Sequence, residues 1–157
     1  MIYILDTNFF IDANRLHLPI GHNPAFWNWI VDLADNGTIS IPKTVYDELL
    51  KGNDDLSRWV NEHKEPLVDD AAAFKTIRNV MQDGYGAIDE VTIERLKADP
   101  WVIAHALAVN GRVVTGEKVG NQTAPHNKKI PSVCQTLHVP HLTMTAFMWE
   151  VRTTMPS

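Results

Sequence analysis

At 157 residues, 45% of them hydrophobic, the chain is long enough for one domain with a sizeable core, which excludes an intrinsically disordered protein. The net charge of −5 excludes broad electrostatic attraction to a polyanion, so any nucleic-acid role must depend on local basic groups. Cys134 is the only cysteine, which excludes an internal disulfide and a thiolate zinc site.

The first half of the chain is predicted to alternate short strands with helices. Residues 2–5 form an apolar run that ends at Asp6, which predicts a buried strand followed by a polar turn. Residues 38–41 predict a second short strand. Helices are predicted where apolar residues recur at helical spacing between caps and glycines: residues 9–11, 24–36, 42–52, a helix capped by Asp54 or Asp55 that runs through Val60, and residues 69–83 and 88–98.

The second half contains one unusually apolar segment. Residues 99–109 predict a helix that is buried on several sides, ended by Asn110 and Gly111. A strand follows over 112–115, then a polar loop from Lys118 to Lys129, a helix near 131–137, a strand near 138–142 and a final helix from about Thr145. Strands that alternate with helices predict a single α/β domain over residues 1–157, with three layers, α/β/α, around a short-stranded, mainly parallel sheet.

Acidic side chains follow two of these strands and begin one helix. Asp6 comes after the first strand, and Glu117 comes after the strand over 112–115. The buried helix leads directly into that second strand, so its first residue, Asp99, must start at the same edge of the sheet. Functional crevices of open α/β sheets lie at this carboxyl edge. Connectivity therefore predicts that these three acids lie close together.

A fourth acid is expected to join them from the helix after the second strand. Glu48 lies beside that helix's apolar stripe, whereas its neighbour Asp47 points roughly 100° away and is the weaker candidate. Each acid also has a simpler interpretation: Asp6 and Asp99 as helix caps, Glu117 and Glu48 as solvated surface residues. A cluster of four carboxylates favours a metal site, and oxygen-only ligands favour Mg²⁺ or Mn²⁺.

Four segments of the chain resemble the ordered motifs of PIN domains. They are Ile4-Leu5-Asp6-Thr7-Asn8, Val45-Tyr46-Asp47-Glu48-Leu49, the helix beginning Asp99-Pro100-Trp101, and Val113-Val114-Thr115-Gly116-Glu117. Residues 24–29, 55–59 and 129–134 further resemble a prokaryotic PIN-like family whose members mostly lack an assigned function. The resemblance covers nearly the whole chain. It departs at the last motif, where the family pattern is closer to Thr-Asn-Asp.

The resemblance implies a metal-dependent ribonuclease of the VapC-toxin type. The family's acidic positions match Asp6, Glu48, Asp99 and Glu117, and its supporting polar positions match Thr7, Asn8 and Thr115. Thr7 and Asn8 are expected to orient Asp6. The resemblance further implies an RNA substrate, an antitoxin partner and a homodimer.

No apolar run is long enough to span a bilayer and no basic leader precedes the first strand, so we expect a cytoplasmic protein without membrane contact.

Substrate contact requires local positive charge. The loop that carries Lys118, His126, Lys128 and Lys129 is the main candidate, with Arg15 as a second.

The sequence leaves two other functions open. One is a catalytically weak or inactive PIN-like module that binds RNA or protein, which Glu117 keeps open. The other is a phosphatase of the haloacid-dehalogenase type, which ranks low because position 8 is Asn8 where that chemistry uses Asp.

Overall fold

The sheet has five strands that are all parallel. The computed structural model describes residues 1–120 and 123–155, and Asn121 and Gln122 of the predicted polar loop lie outside the described residues. The strands are β1 (Tyr3–Leu5), β2 (Ile39–Pro42), β3 (Val68–Asp69), β4 (Arg112–Val114) and β5 (His141–Leu142). Their order is β3-β2-β1-β4-β5, so the N-terminal strand is central.

Helices flank this sheet, which confirms the predicted three-layer α/β/α architecture. They are α1 (Thr7–Asp12), α2 (Pro24–Asp35), α3 (Lys43–Leu50), α4 (Asp55–Glu62), α5 (Lys64–Leu67), α6 (Ile77–Asn79), α7 (Glu90–Leu96), α8 (Asp99–Val109), α9 (Ile130–Leu137) and α10 (Met144–Glu150). The described residues also contain two π-helical segments, Ala13–His17 and Val80–Tyr85. They contain three 3₁₀ turns as well, Ala72–Lys75, Pro125–Asn127 and Arg152–Thr154. None of the described helices is long and apolar enough to cross a membrane.

Helix α8 forms part of the core and fixes where Asp99 lies. Most of its side chains are buried, as its apolar sequence predicts. The helix ends at Asn110, which adopts a left-handed conformation with φ of 55°. A Cβ atom on Gly111 would lie 2.7 Å from the carbonyl oxygen of Ile2, so only glycine lets the chain pass so close to β1. The chain then enters β4, which leaves the start of α8 at the carboxyl edge.

The predicted helix over residues 69–83 is wrong. Residues 68–69 form the edge strand β3, and Asp69 Oδ1 accepts hydrogen bonds from the backbone N–H groups of Ala71 and Ala72, which makes a turn. The chain continues as a 3₁₀ turn, the short helix α6 and a π-helical segment. The Thr76 hydroxyl donates to the carbonyl oxygen of Ala104 at 2.6 Å, so packing on α8 sets this irregular path.

Asp54, not Asp55, caps helix α4. The Ser57 N–H donates to the Asp54 side chain at 3.0 Å, which confirms one of the two predicted caps.

Candidate active site

Asp6 is buried at the carboxyl edge of the sheet, directly after β1. Its side chain is 2% exposed, and it occupies the N-cap position of α1 without a side-chain capping bond. The Thr115 hydroxyl, from the end of β4, donates to Asp6 Oδ2 at 3.0 Å. Burial raises the pKa of Asp6 to about 6, with the charges of Glu117 and Glu48 adding to the effect and the Thr115 bond opposing it. Asp6 therefore occupies the cap position of the simpler interpretation, but its side chain makes no capping bond there.

Asp99 lies at the first position of α8, one residue after the N-cap residue Ala98. Burial, followed by the charges of Glu117, Asp6 and Glu48, raises the pKa of its carboxyl group to about 8. Among the main influences, only Lys129 acts in the opposite direction. Asp99 therefore does not serve as the helix cap that the simpler interpretation proposed.

Glu48 reaches the same region from α3. Its Oε2 atom accepts a hydrogen bond of 2.8 Å from the Thr7 hydroxyl. The side chain of Thr7 therefore orients Glu48, not Asp6 as expected, and Thr115 is the threonine that orients Asp6. Asn8 is exposed and lines the cleft beside these residues. Asp47 pairs with Lys43 at 3.0 Å and also lines this cleft.

Glu117 connects the end of β4 to the start of α9. Its Oε2 atom accepts a hydrogen bond of 2.8 Å from the backbone N–H of Ile130, the first residue of α9. Its own backbone N–H donates to the Thr115 hydroxyl oxygen at 3.1 Å. Thr115 thus links Asp6 and Glu117 through one oxygen. The extra methylene of Glu117, compared with Asp, extends the carboxylate toward the helix terminus.

The four acids share one electrostatic environment, and their donor chemistry fits a hard divalent cation. The charges of Glu117 and Glu48 raise the pKa values of both Asp6 and Asp99, because like charges gather in a buried region. The four acids offer carboxylate oxygens, the ligands that Mg²⁺ and Mn²⁺ prefer. Within residues 1–120 and 123–155, no three acidic, histidine or cysteine side chains already converge as a ligand cluster.

Two adjoining clefts run along this edge. One, of about 810 Å³, is lined by Asp6, Glu48 and Asp99 together with Lys51 and Lys97. The other, of about 500 Å³, shares Glu48, Lys97 and Asp99 with the first and has a basic wall. The side chains that form this wall are Arg95, Lys97, His126, Lys128 and Lys129.

The basic wall agrees in part with the sequence prediction. Lys128 and Lys129 line it as expected, and Lys128 Nζ also contacts the carbonyl oxygen of Gly84 at 3.3 Å. Lys118 is exposed and lines neither cleft. Arg15 lines a separate, smaller cleft that Glu48 also borders. Sequence reasoning missed Arg95, Lys97 and Lys51, although the first two come just before Asp99 in the chain.

The chain matches a described protein family and resembles solved structures. A family model described as "Domain of unknown function (DUF4411)" matches residues 3–155. No curated protein matches the sequence. The structure of VapBC2 from Rickettsia felis bound to a promoter DNA fragment matches with 20% identity and a TM-score of 0.52, over 91% of this chain and 98% of that one. VapBC-1 from nontypeable Haemophilus influenzae matches with 17% identity and a TM-score of 0.52, over 92% and 99%.

Proposed function

Because the chain belongs to the DUF4411 family and has the PIN-like fold of VapC-type domains, as its resemblance predicted, we propose its function from its own site. We propose that residues 1–157 form one domain that hydrolyses RNA phosphodiester bonds with the help of Mg²⁺ or Mn²⁺, as the toxin of a toxin–antitoxin pair. The observation that carries the proposal is the gathering of Asp6, Glu48, Asp99 and Glu117 at one edge of the sheet.

Asp6 and Asp99 would hold the cation, with Glu48 and Glu117 as further ligands. A bound divalent cation lowers the pKa of water and neutralises charge on phosphate oxygens. The protein's own groups prepare this site, since Thr115 fixes one oxygen of Asp6 and Thr7 fixes one oxygen of Glu48. The raised pKa values of the two aspartates show that their ionised forms lack sufficient compensation, which a cation would provide.

Substrate binding would depend on the basic wall beside the acids. Arg95, Lys97 and Lys129 border the cleft that Asp99 also lines, so a phosphate held by them would lie beside the carboxylates. This local arrangement suits a polyanion even though the whole chain carries a net charge of −5. Lys118 lines neither cleft, so the proposed substrate-binding residues exclude it.

The partners belong to the same proposal. We propose an antitoxin that binds this chain, a homodimer, and a cytoplasmic location. The antitoxin is supported by the fold shared with two structures of VapBC proteins, one of which also contains promoter DNA, and the homodimer and the location rest on the family resemblance.

A binding module without catalysis is the second candidate. The bond from Ile130 N–H to Glu117 favours it, because one oxygen of this acid already has a structural partner. The lack of a converged ligand cluster among the described residues favours it as well. In this case the cleft would bind RNA or protein, and replacing an acid would change binding without removing a reaction.

The deciding experiment measures cleavage and metal binding together. Purified protein is incubated with single-stranded and structured RNA in Mg²⁺, Mn²⁺ or EDTA, beside the Asp6→Asn and Asp99→Asn variants. We expect cleavage that requires metal and falls by about 100-fold or more in both variants. Lys43→Ala is the matched control, because Lys43 pairs with Asp47 on the same helix as Glu48 without joining the four acids. RNA binding without cleavage by a folded protein would support the binding module instead.

A further inference from the structure

The hydroxyl group of Tyr85 is buried and has no hydrogen-bond partner among the described residues. Of the three tyrosines, Tyr3 donates to Glu150 and Tyr46 donates to Asn61 at 2.8 Å. Tyr85 is 0% exposed, and its hydroxyl makes no hydrogen bond with any residue of 1–120 or 123–155. Burying a hydroxyl without a hydrogen bond costs free energy, and such groups in folded proteins need a specific explanation.

Packing holds Tyr85 firmly in this position. It ends the π-helical segment Val80–Tyr85, a kind of segment that occurs often at functional sites, and Gly86 then turns the chain at φ of 84°. The segment packs against α8 and α9. A Cβ atom on Gly84 would lie 2.6 Å from a side-chain carbon of Val133, so the backbone beside Tyr85 lies tightly against α9.

The charged groups around the Tyr85 hydroxyl are those of the candidate site. After burial, the charge of Asp99 is the largest influence that raises its pKa, followed by Glu117, Cys134 and Asp6. The phenol therefore remains protonated and able to donate. Asp99, for its part, is influenced mainly by burial and by neighbouring charges, without a hydrogen bond among its main influences. The segment that Tyr85 ends packs on α8, the helix that begins at Asp99, and the Asp99 charge is the strongest one acting on the Tyr85 hydroxyl.

We propose that Tyr85 is a positioning residue of the acidic site, whose hydroxyl donates a hydrogen bond to Asp99, directly or through one water molecule, when Asp99 holds the cation. This inference rests on the proposed function, since it assumes that Asp99 is a metal ligand. Groups that orient a metal ligand in this way commonly decide how tightly the metal binds. An apolar ring at position 85 would fill the same space but leave Asp99 without this donor.

The test is Tyr85→Phe, which removes one oxygen atom and keeps the ring. We expect its Mn²⁺ affinity, measured by isothermal titration calorimetry, to fall about 10-fold relative to wild type. Its melting temperature without metal should equal or exceed that of wild type, because the buried hydroxyl has no bond to lose. Tyr3→Phe is the matched control: it loses the bond to Glu150, so its melting temperature should fall while its Mn²⁺ affinity stays unchanged.

Two outcomes separate this inference from the function on which it rests. Wild-type Mn²⁺ affinity in Tyr85→Phe, together with loss of binding in Asp99→Asn, would overturn the role of Tyr85 and leave the metal site intact. Absence of Mn²⁺ binding by wild type would overturn both. A melting temperature of metal-free Tyr85→Phe that falls as far as that of Tyr3→Phe would show that the hydroxyl is structural, which also contradicts the inference.

Discussion

The two edges of the sheet handle charge in opposite ways. At the amino edge, where β1 and β4 begin, Arg112 Nη1 lies 2.6 Å from Glu150 Oε2, and the Tyr3 hydroxyl donates to the same oxygen. These bonds hold the pKa of Glu150 below its ordinary value. At the carboxyl edge, burial and neighbouring carboxylates raise the pKa values of Asp6 and Asp99 to about 6 and about 8.

This difference separates groups that stabilise the fold from groups that weaken it and form the proposed site. A compensated ion pair at the amino edge gives a small, direct contribution to stability. Uncompensated carboxylates reduce stability, and proteins retain them mainly where they bind or catalyse. The following substitutions should affect stability and function separately, depending on which edge they change.

The largest effect on stability is expected from Asp99→Asn in the absence of metal. Both aspartates have folded-state pKa values above their unfolded values, so the folded protein binds more protons between about pH 4 and pH 8. Stability should therefore fall as pH rises through this window. Asp99→Asn removes the group that causes most of this loss of stability. It should therefore stabilise the metal-free protein at pH 8 by about 2 kcal/mol, a figure that allows for the partial exposure of Asp99. Thermal melts at pH 5 and pH 8 measure it.

Glu150→Gln provides the contrast at the amino edge. It weakens the pair with Arg112, which is partly exposed, and should lower stability by about 0.5 kcal/mol. The same melts serve as its measurement, and RNA cleavage should not change. A loss of stability in Asp99→Asn at pH 8 equal to that in Glu150→Gln would contradict the comparison of the two edges.

An intermediate effect is expected at Glu117, which belongs to the proposed metal site and also holds the start of α9. Glu117→Gln keeps an oxygen for the Ile130 N–H but loses the charge, so metal binding should weaken while stability is retained. Glu117→Asp keeps the charge but is shorter by one methylene. It should lose the bond to α9 and about 1.5 kcal/mol of stability. Urea unfolding and Mn²⁺ titration of both variants measure the two effects, and equal behaviour of the variants would show that Glu117 has only one role.

The smallest effect is expected in the basic wall. Lys97 is exposed and borders both clefts, so Lys97→Ala should weaken RNA binding a few-fold and lower the salt dependence of log affinity by about 0.7, the value for one phosphate contact on a single strand. Binding is measured with the cleavage-deficient Asp6→Asn protein at several NaCl concentrations. Lys118→Ala is the control. An equal change in that variant would locate the RNA outside these clefts.

The central strands β1, β2 and β4 could be predicted because each is a short, mainly apolar run with polar residues or glycine at its ends. Edge strand β3 was missed because it has only two residues, Val68 and Asp69, which are too few to show alternation. The path of residues 69–83 was also missed. There the Thr76 bond to Ala104 and the packing on α8 override local helical preference, and both depend on residues far along the chain.

The acids of the site could be predicted because connectivity alone brings Asp6, Asp99 and Glu117 to one edge. Their hydrogen-bond partners could not, since the sequence does not show that Thr7 donates to Glu48 and Thr115 to Asp6. Lys97 had a signal that was overlooked, its position just before Asp99. Its φ of 56° is unusual for a residue other than glycine, and only coordinates reveal it.

The central place of β1 determines when the site can exist during synthesis. The first strand to be made needs β2 on one side and β4 on the other, and the Thr115 bond to Asp6 joins residues 109 positions apart. A ribosome-bound chain that ends before β4 therefore has Asp6 without Thr115, Asp99 or Glu117 correctly placed. Such a chain cannot assemble the acidic edge, so the proposed site can form only after β4 and Glu117 have been synthesised.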